Sequence, residues 1–196
     1  MGRRKLVEDD ELLAVAQKVF IQKGAGASTR EIARRAGISE AVIYQRHPTK
    51  AHLFLAAMVP PALDVEGLLA EQANDLGVEE QLEEIALGMI RYFRKVVPIL
   101  MQLVTHPEFD MKKFAKRHPD SVFGRIHRGL LQYLESQRER GRIVAENVGP
   151  VALTLFASLH SIAFLERLGV HGGKFNEALI RAMVRALWIG LALRRK

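Results

Sequence analysis

Cysteine is absent from the 196 residues, which excludes a disulfide scaffold, a thiolate zinc site and a cysteine nucleophile, and suits a reducing compartment. Strand signals are scarce. No apolar run approaches the roughly 18 residues of a membrane span. The basic start Arg3-Arg4-Lys5 leads into Glu8-Asp9-Asp10-Glu11 rather than into the apolar core of a signal peptide. Leu6 stands where N-myristoylation wants Ser or Thr. These absences predict a soluble, cytoplasmic chain with no membrane partner. Also missing are a phosphate-cradling glycine loop, a nucleophile elbow and any His-Glu-x-x-His spacing. His47, His52, His106, His118, His127, His160 and His171 stand singly, and Gly172-Gly173 reads as a loop between helices. Neither a metal nor another cofactor is expected. A small helical enzyme is the remaining alternative class, and only a pocket with clustered titrating groups would revive it.

Hydrophobic residues make up 48% of the chain, enough for one sizeable core shared by one or two domains. The net charge of +7 is unevenly spread: residues 51–90 hold eight acids and no Lys or Arg, whereas residues 91–142 hold twelve bases against five acids. The first fifty residues are only mildly basic, with ten bases against six acids. Charge therefore permits nucleic-acid binding without locating it.

Apolar residues recur at helical spacing almost throughout, which predicts an all-α chain of about nine helices. The first spans Asp9 to Lys23, with Leu12, Ala16, Val19 and Phe20 on one face and acids at its start. Ser28 with Glu31 forms a capping-box pattern opening a helix from Thr29 to Ala36, which Gly37 stops. Ser39 opens a third helix to about His47, and Thr49 a fourth that ends at Pro60-Pro61. A long pattern follows from Val78 to Val104, with a kink or break expected at Pro98. Further helices run from His118-Pro119 to near Gly141, from Gly149-Pro150 to Gly169, and from about Lys174 into the basic tail Arg194-Arg195-Lys196.

Residues 29–44, Thr-Arg-Glu-Ile-Ala-Arg-Arg-Ala-Gly-Ile-Ser-Glu-Ala-Val-Ile-Tyr, read as two short helices joined by a glycine turn, a helix-turn-helix whose second helix enters the DNA major groove. Ile32, Ala33, Ala36, Ile38 and Ile43 supply the apolar contacts between the helices, and Gly37 the left-handed turn residue. Arg34 and Arg35 read as a solvated face. Ser28, Ile32-Ala33, Ala36-Gly37-Ile38-Ser39, Tyr44 and Lys50, followed by Leu53, give this segment its resemblance to the tetracycline-repressor (TetR) family of bacterial regulators. The likeness covers roughly the first 60 residues. It implies a helix-turn-helix domain over residues 1–50, a connector helix over 49–60, and a helical effector-binding and dimerisation domain over 61–196.

The resemblance assigns double-stranded DNA as partner and gives the residues their roles. Ser28 and Ser39 would offer hydroxyls and helix N-terminal amides to phosphates, Tyr44 its phenol, and Lys50 a point charge. Gln45 would read adenine, while Ala41 and Val42 would pack on thymine methyl groups. Thr29, Arg30 and Arg46 complete the candidate set with Glu40, which stands where the family often has a base. Val42 replaces a frequent threonine, and His47 the aromatic that packs behind the recognition helix.

The same resemblance implies a homodimer through the last two long helices. Leu155, Ser158, Leu159 and Ile162 recur on one, and Leu179, Ala182, Met183, Ala186 and Gly190 on the other. Met58, Met89, Tyr92, Phe93, Met101, Phe109, Phe123, His127 and Leu131 are candidates for the lining of a pocket for a largely apolar small-molecule effector. Together these expectations describe a repressor released from a palindromic operator by that effector, nucleoid-associated when bound to DNA, with the fourth helix as the link between pocket and DNA. The alternative is a DNA-binding protein of the same fold without an effector.

Overall fold

The computed structural model describes residues 7–70, 76–117, 121–170 and 172–191. Among the described residues the chain forms ten α-helices and no strand. In order they are α1 (Asp9–Lys23), α2 (Thr29–Ala36), α3 (Glu40–Arg46), α4 (Lys50–Ala57), α5 (Val65–Leu69), α6 (Val78–Val104), α7 (Met111–Arg117), α8 (Val122–Glu139), α9 (Gly149–Leu168) and α10 (Glu177–Leu191). The all-α architecture agrees with the sequence reading. The segments read from the sequence did not include α5 and α7, which are too short for periodicity to register, and allowed the 78–104 pattern to be split at Pro98. Each is nonetheless opened by an aspartate: Asp64 accepts from Gly67 N at 2.8 Å and Asp110 from Lys113 N at 3.0 Å.

The chain divides into two compact units. The first comprises residues up to Pro61 together with Pro98–Arg117. Its core is Leu12, Ala16, Val19 and Phe20 of α1, Ile32 and Ala33 of α2, Ile43 of α3, Leu53, Phe54, Ala57 and Met58, closed by Ile99 and Leu103. Phe20 meets Phe54 edge-on with centroids 5.0 Å apart, and His106 stacks on Phe54 at 4.3 Å. Each buried Phe of this pair contributes about 1.5–3 kcal/mol of hydrophobic stabilisation. All of α4 belongs to this unit, ending at Ala57 with Met58 buried in the core, so the expected link from Lys50 to Pro60-Pro61 is shorter than the sequence suggested.

Gly37 shapes the turn between α2 and α3. Its φ of 70° and ψ of 26° are left-handed, and Ile38 N donates to Ala33 O at 3.0 Å, closing α2. A Cβ at Gly37 would meet nothing within 4 Å, so glycine is needed for its dihedral and not for space. Gly37→Ala is therefore expected to lower unfolding stability by about 1 kcal/mol without changing the fold, as denaturant titration would show.

The second unit comprises Ala62–Val97 and the residues from His118 onward. Its buried side chains include Leu82, Ile85, Met89, Ile90 and Phe93 of α6, Ile126, Leu130 and Leu134 of α8, Leu155 and Leu159 of α9, and Ile180 and Val184 of α10. The acids that crowd the start of α6 are used inside this unit. Arg181 of α10 reaches Glu83 at 2.7 Å and Glu84 at 2.6 Å, and Arg185 reaches Glu79 at 3.2 Å.

Three local expectations are corrected. Ser28 caps α2 through its carbonyl alone, because Glu31 turns away from the capping box to pair with Lys23 and Arg35. Lys23, then Arg35, holds the Glu31 carboxyl below its usual range. Pro98 does not break α6. A proline inside a helix costs roughly 3 kcal/mol, and burial of Val96, Val97, Ile99 and Leu103 around it is worth more. Finally, the 20 residues of α9, with a mean hydropathy of 1.4 in their most apolar window, are long and apolar enough to cross a membrane by length and composition. Only 22% of that window is buried. His118-Pro119 and the tail Arg194-Arg195-Lys196 lie outside the described residues.

Candidate nucleic-acid interface

The first three helices set α3 on the surface of the first unit. Ile43 is its one buried residue, pinned in the core by Ile32 and Ala33 of α2, so the opposite face points outward. Ala41, Tyr44 and Gln45 occupy that exposed face, with Ser39 at its start, and Val42 is half-buried beside them. Ser28 and Arg30 are exposed at the start of α2, and Lys50 is half-buried at the start of α4. Among the described residues Arg30, Arg34 and Lys50 have no ion-pair partner.

Three of the predicted contact residues form a joint of their own. Thr29, 7% exposed, donates its hydroxyl to Glu40 Oε1 at 2.6 Å and lies 3.2 Å from the Tyr44 hydroxyl. Glu40 is thereby turned toward α2. Arg46 likewise bends back, donating to Val7 O at 2.8 Å, with Asp9 3.8 Å away.

His47 completes the scaffold. It is 4% exposed, its Nε2 lies 3.2 Å from Asp9 Oδ1, and its Nδ1 lies 3.2 Å from Nδ1 of His52. One imidazole of the pair donates and the other accepts. The position where the resemblance implies an aromatic instead carries a polar connection from the end of α3 to α1 and α4.

Residues 12–57 match the family model described as bacterial regulatory proteins, tetR family. The N-terminal module is TetR-like. Over 152 residues the chain is 28% identical to nucleoid occlusion factor SlmA of Marinomonas sp. (strain MWYL1), covering 74% of this chain and 75% of that protein. A crystal structure from Mesorhizobium loti MAFF303099 assigned to TetR-family transcriptional regulators superposes with a TM-score of 0.71 at 21% identity, covering 94% of this chain and 96% of that one. NalD of Pseudomonas aeruginosa, the secondary repressor of the MexAB-OprM multidrug efflux pump, gives a TM-score of 0.59 at 19% identity over 95% of this chain and 97% of its own. The TetR-like fold thus extends beyond the matched module over about 94% of the chain.

Beyond the TetR module, the structure distributes the other candidate residues unevenly. Of the nine pocket candidates, Met58, Met101 and Phe109 lie in the first unit, Met58 within its core and Phe109 packed against it. Met89, Tyr92, Phe93, Phe123, His127 and Leu131 lie in the second. There Phe93 and Phe123 stack at 5.6 Å, and Phe156 and His160, two residues the sequence reading did not single out, close the cluster edge-on. Burial holds the His160 imidazole below its usual pKa and the Tyr92 phenol above its own. Nε2 of His127 is buried with no hydrogen-bond partner.

The interface candidates also divide. Leu155 and Leu159 are buried within the chain at 2% and 0% exposure, Ser158, Ile162 and Met183 are half-buried, and Leu179, Ala182 and Ala186 are exposed. The surroundings of Gly190 lie outside the described residues. The outward stripe of α9 is instead Leu153, Ala157, Phe164 and Leu168, which helical spacing could have separated from the inward one had the inward side been known. Among the described residues no group of three His, Asp or Glu side chains is placed to share a metal ion.

Proposed function

We propose that this chain is a homodimeric repressor that reads a palindromic operator with α3 and leaves it when a small molecule binds the second unit. The observation that carries the reading is the outward face Ala41-Tyr44-Gln45, flanked by the unpaired cations Arg30 and Lys50. In this reading Ser28, Ser39, Tyr44 and Lys50 fix the register on phosphates, Gln45 and Ala41 read base edges, and Thr29 and Glu40 hold Tyr44 in place. A second copy presents the same face one helical turn away, about 34 Å. NalD, a repressor of the same fold, supports repression, and a cytoplasmic protein associated with the nucleoid follows from DNA binding. A second reading, DNA binding with no small-molecule effector, is favoured by the relative SlmA, which is described as a nucleoid occlusion factor.

Selection from a random duplex pool at defined salt tests the core of the proposal, with recovery of a palindrome as the expected result. On that sequence Lys50→Ala should weaken binding to all sites alike and lower the salt slope by about one, whereas Gln45→Ala should cost about 1–3 kcal/mol and relax one base position. No enrichment, or binding insensitive to salt, would refute it.

A further inference from the structure

Ile43 is the one buried side chain of the seven-residue helix α3. A single apolar anchor fixes where a short helix lies but not its rotation about that point, so polar contacts must set the pose in which Ala41 and Gln45 face outward. At the start of α3 this contact is the hydrogen bond from Thr29 of α2 to Glu40. At its end it is His47, whose backbone N–H donates to Ile43 O at 2.8 Å and which is 4% exposed. Nε2 of its ring lies 3.2 Å from Asp9 Oδ1 at the start of α1. Nδ1 lies 3.2 Å from Nδ1 of His52 in the first turn of α4, where Thr49 Oγ1 accepts from His52 N at 3.0 Å. Arg46 Nη1 stands 3.8 Å from the same Asp9 oxygen. Among the described residues the charged and titratable groups paired around His47 are thus Asp9 on α1, Arg46 on α3 and His52 on α4.

A carboxylate only accepts, so Nε2 of His47 carries the hydrogen that points to Asp9. Nδ1 of the neutral ring is then an acceptor, and the hydrogen between the two rings belongs to His52. A first added proton has a place at Nε2 of His52, which is exposed. It leaves both hydrogen bonds standing, with the new charge on a row of groups that ends in the Asp9 carboxylate. A second has only Nδ1 of His47 to go to. Two N–H groups would then face each other across 3.2 Å, and Arg46 already draws on the carboxylate that would offset the charge. We propose that His47 is a positioning residue for base reading, and that through it the operator preference depends on pH: α3 keeps its pose while the His47–His52 pair holds one added proton or none, and loses it with the second. The inference rests on the DNA-reading proposal above. Where the family resemblance implies an aromatic ring held by packing, this chain holds α3 by a contact that acid breaks, in the range where imidazoles titrate.

Two measurements on the full chain test this. Ring nitrogen spectra by NMR need no DNA: at about pH 8 His47 should be the Nε2–H tautomer and His52 the Nδ1–H tautomer, and on acidification to about pH 5 the pair should take up its protons in linked steps, His52 first. His47 found with its hydrogen on Nδ1 at the upper pH, or two rings that titrate independently, overturns the clasp. The second measurement compares affinity for the selected operator with affinity for an unrelated duplex, at about pH 7.5 and about pH 5.5 and constant ionic strength. Protons on the protein strengthen binding to any duplex, so only the ratio of the two affinities reports the pose of α3. In wild type that ratio is expected to fall at least about tenfold at the lower pH. In His47→Phe, which fills the place without a titrating group, and in His52→Ala, at an exposed position, it should hold within about twofold. A wild-type ratio that does not move, or a fall that either variant retains, overturns the proposal. If selection finds no operator, the DNA reading fails instead, and the ring spectra still decide whether the clasp exists.

Discussion

Replacing Phe164 and Ile189 together by glutamate is expected to convert the protein to a monomer in sedimentation and to reduce operator affinity by about a hundredfold or more. Within one chain Leu153, Phe164 and Leu168 of α9 are 55%, 38% and 52% exposed, and Leu179 and Ile189 of α10 are 45% and 75% exposed. Ala157, Ser161, Ala182 and Ala186 lie exposed between them, so another helix can approach closely. In the proposed dimer a two-fold copy of the same pair of helices covers these faces. Such a partner would also account for the apolarity of α9 without a bilayer. The affinity loss follows from avidity: a dimer makes the second half-site contact intramolecular, and a monomer does not. Because the substituted positions are exposed in the single chain, helix content should survive. A variant that stays dimeric, or a monomer with undiminished operator affinity, would end the proposal.

Local signals made the DNA-binding module legible in the sequence. Gly37 must be left-handed, Ile32, Ala33 and Ile43 must be inside, and once Ile43 is inside a seven-residue helix, Ala41, Tyr44 and Gln45 face out. What the sequence could not show is how polar side chains choose among partners. Glu31 had the spacing of a capping box, yet Lys23, eight residues before it, and Arg35, one helical turn after it, win it. Glu40 stood among the candidate DNA contacts, at a position where the resemblance implies a basic residue, yet Thr29 takes it. The same limit applies to α9, where Leu155 and Leu159 were placed in the interface. A helix apolar nearly all round has no periodicity to say which stripe faces its own chain, and only tertiary packing assigns Leu155 inward and Leu153 outward.

Glu166→Ala is expected to lower the stability of the second unit by about 3–5 kcal/mol, a large share of a domain's total. Glu166 has a 5% exposed side chain and receives both branches of the Arg94 guanidinium, Nε at 2.8 Å and Nη2 at 2.7 Å, as well as the backbone N–H of Phe175 at 2.8 Å. Arg94 in turn donates to Phe175 O at 2.7 Å, so one ion pair joins α6, α9 and the segment leading into α10. Burial alone would raise the Glu166 carboxyl, but the hydrogen bonds from Arg94 and Phe175 outweigh it and hold the group below the usual glutamate range. A depressed carboxyl contributes stability that is complete above the unfolded value and is lost as pH falls through the folded one. The wild type should therefore lose this contribution below about pH 4.5, and Glu166→Ala should show a shallower acid limb in denaturant titrations. Removing both charges separates the pair's worth from the cost of stranding one of them. Arg94→Leu with Glu166→Leu should recover much of the loss, because a lone guanidinium 19% exposed is costlier than an apolar contact. If Glu166→Ala unfolds at the same denaturant concentration as wild type across this pH range, the pair is not what fastens α9 to α6.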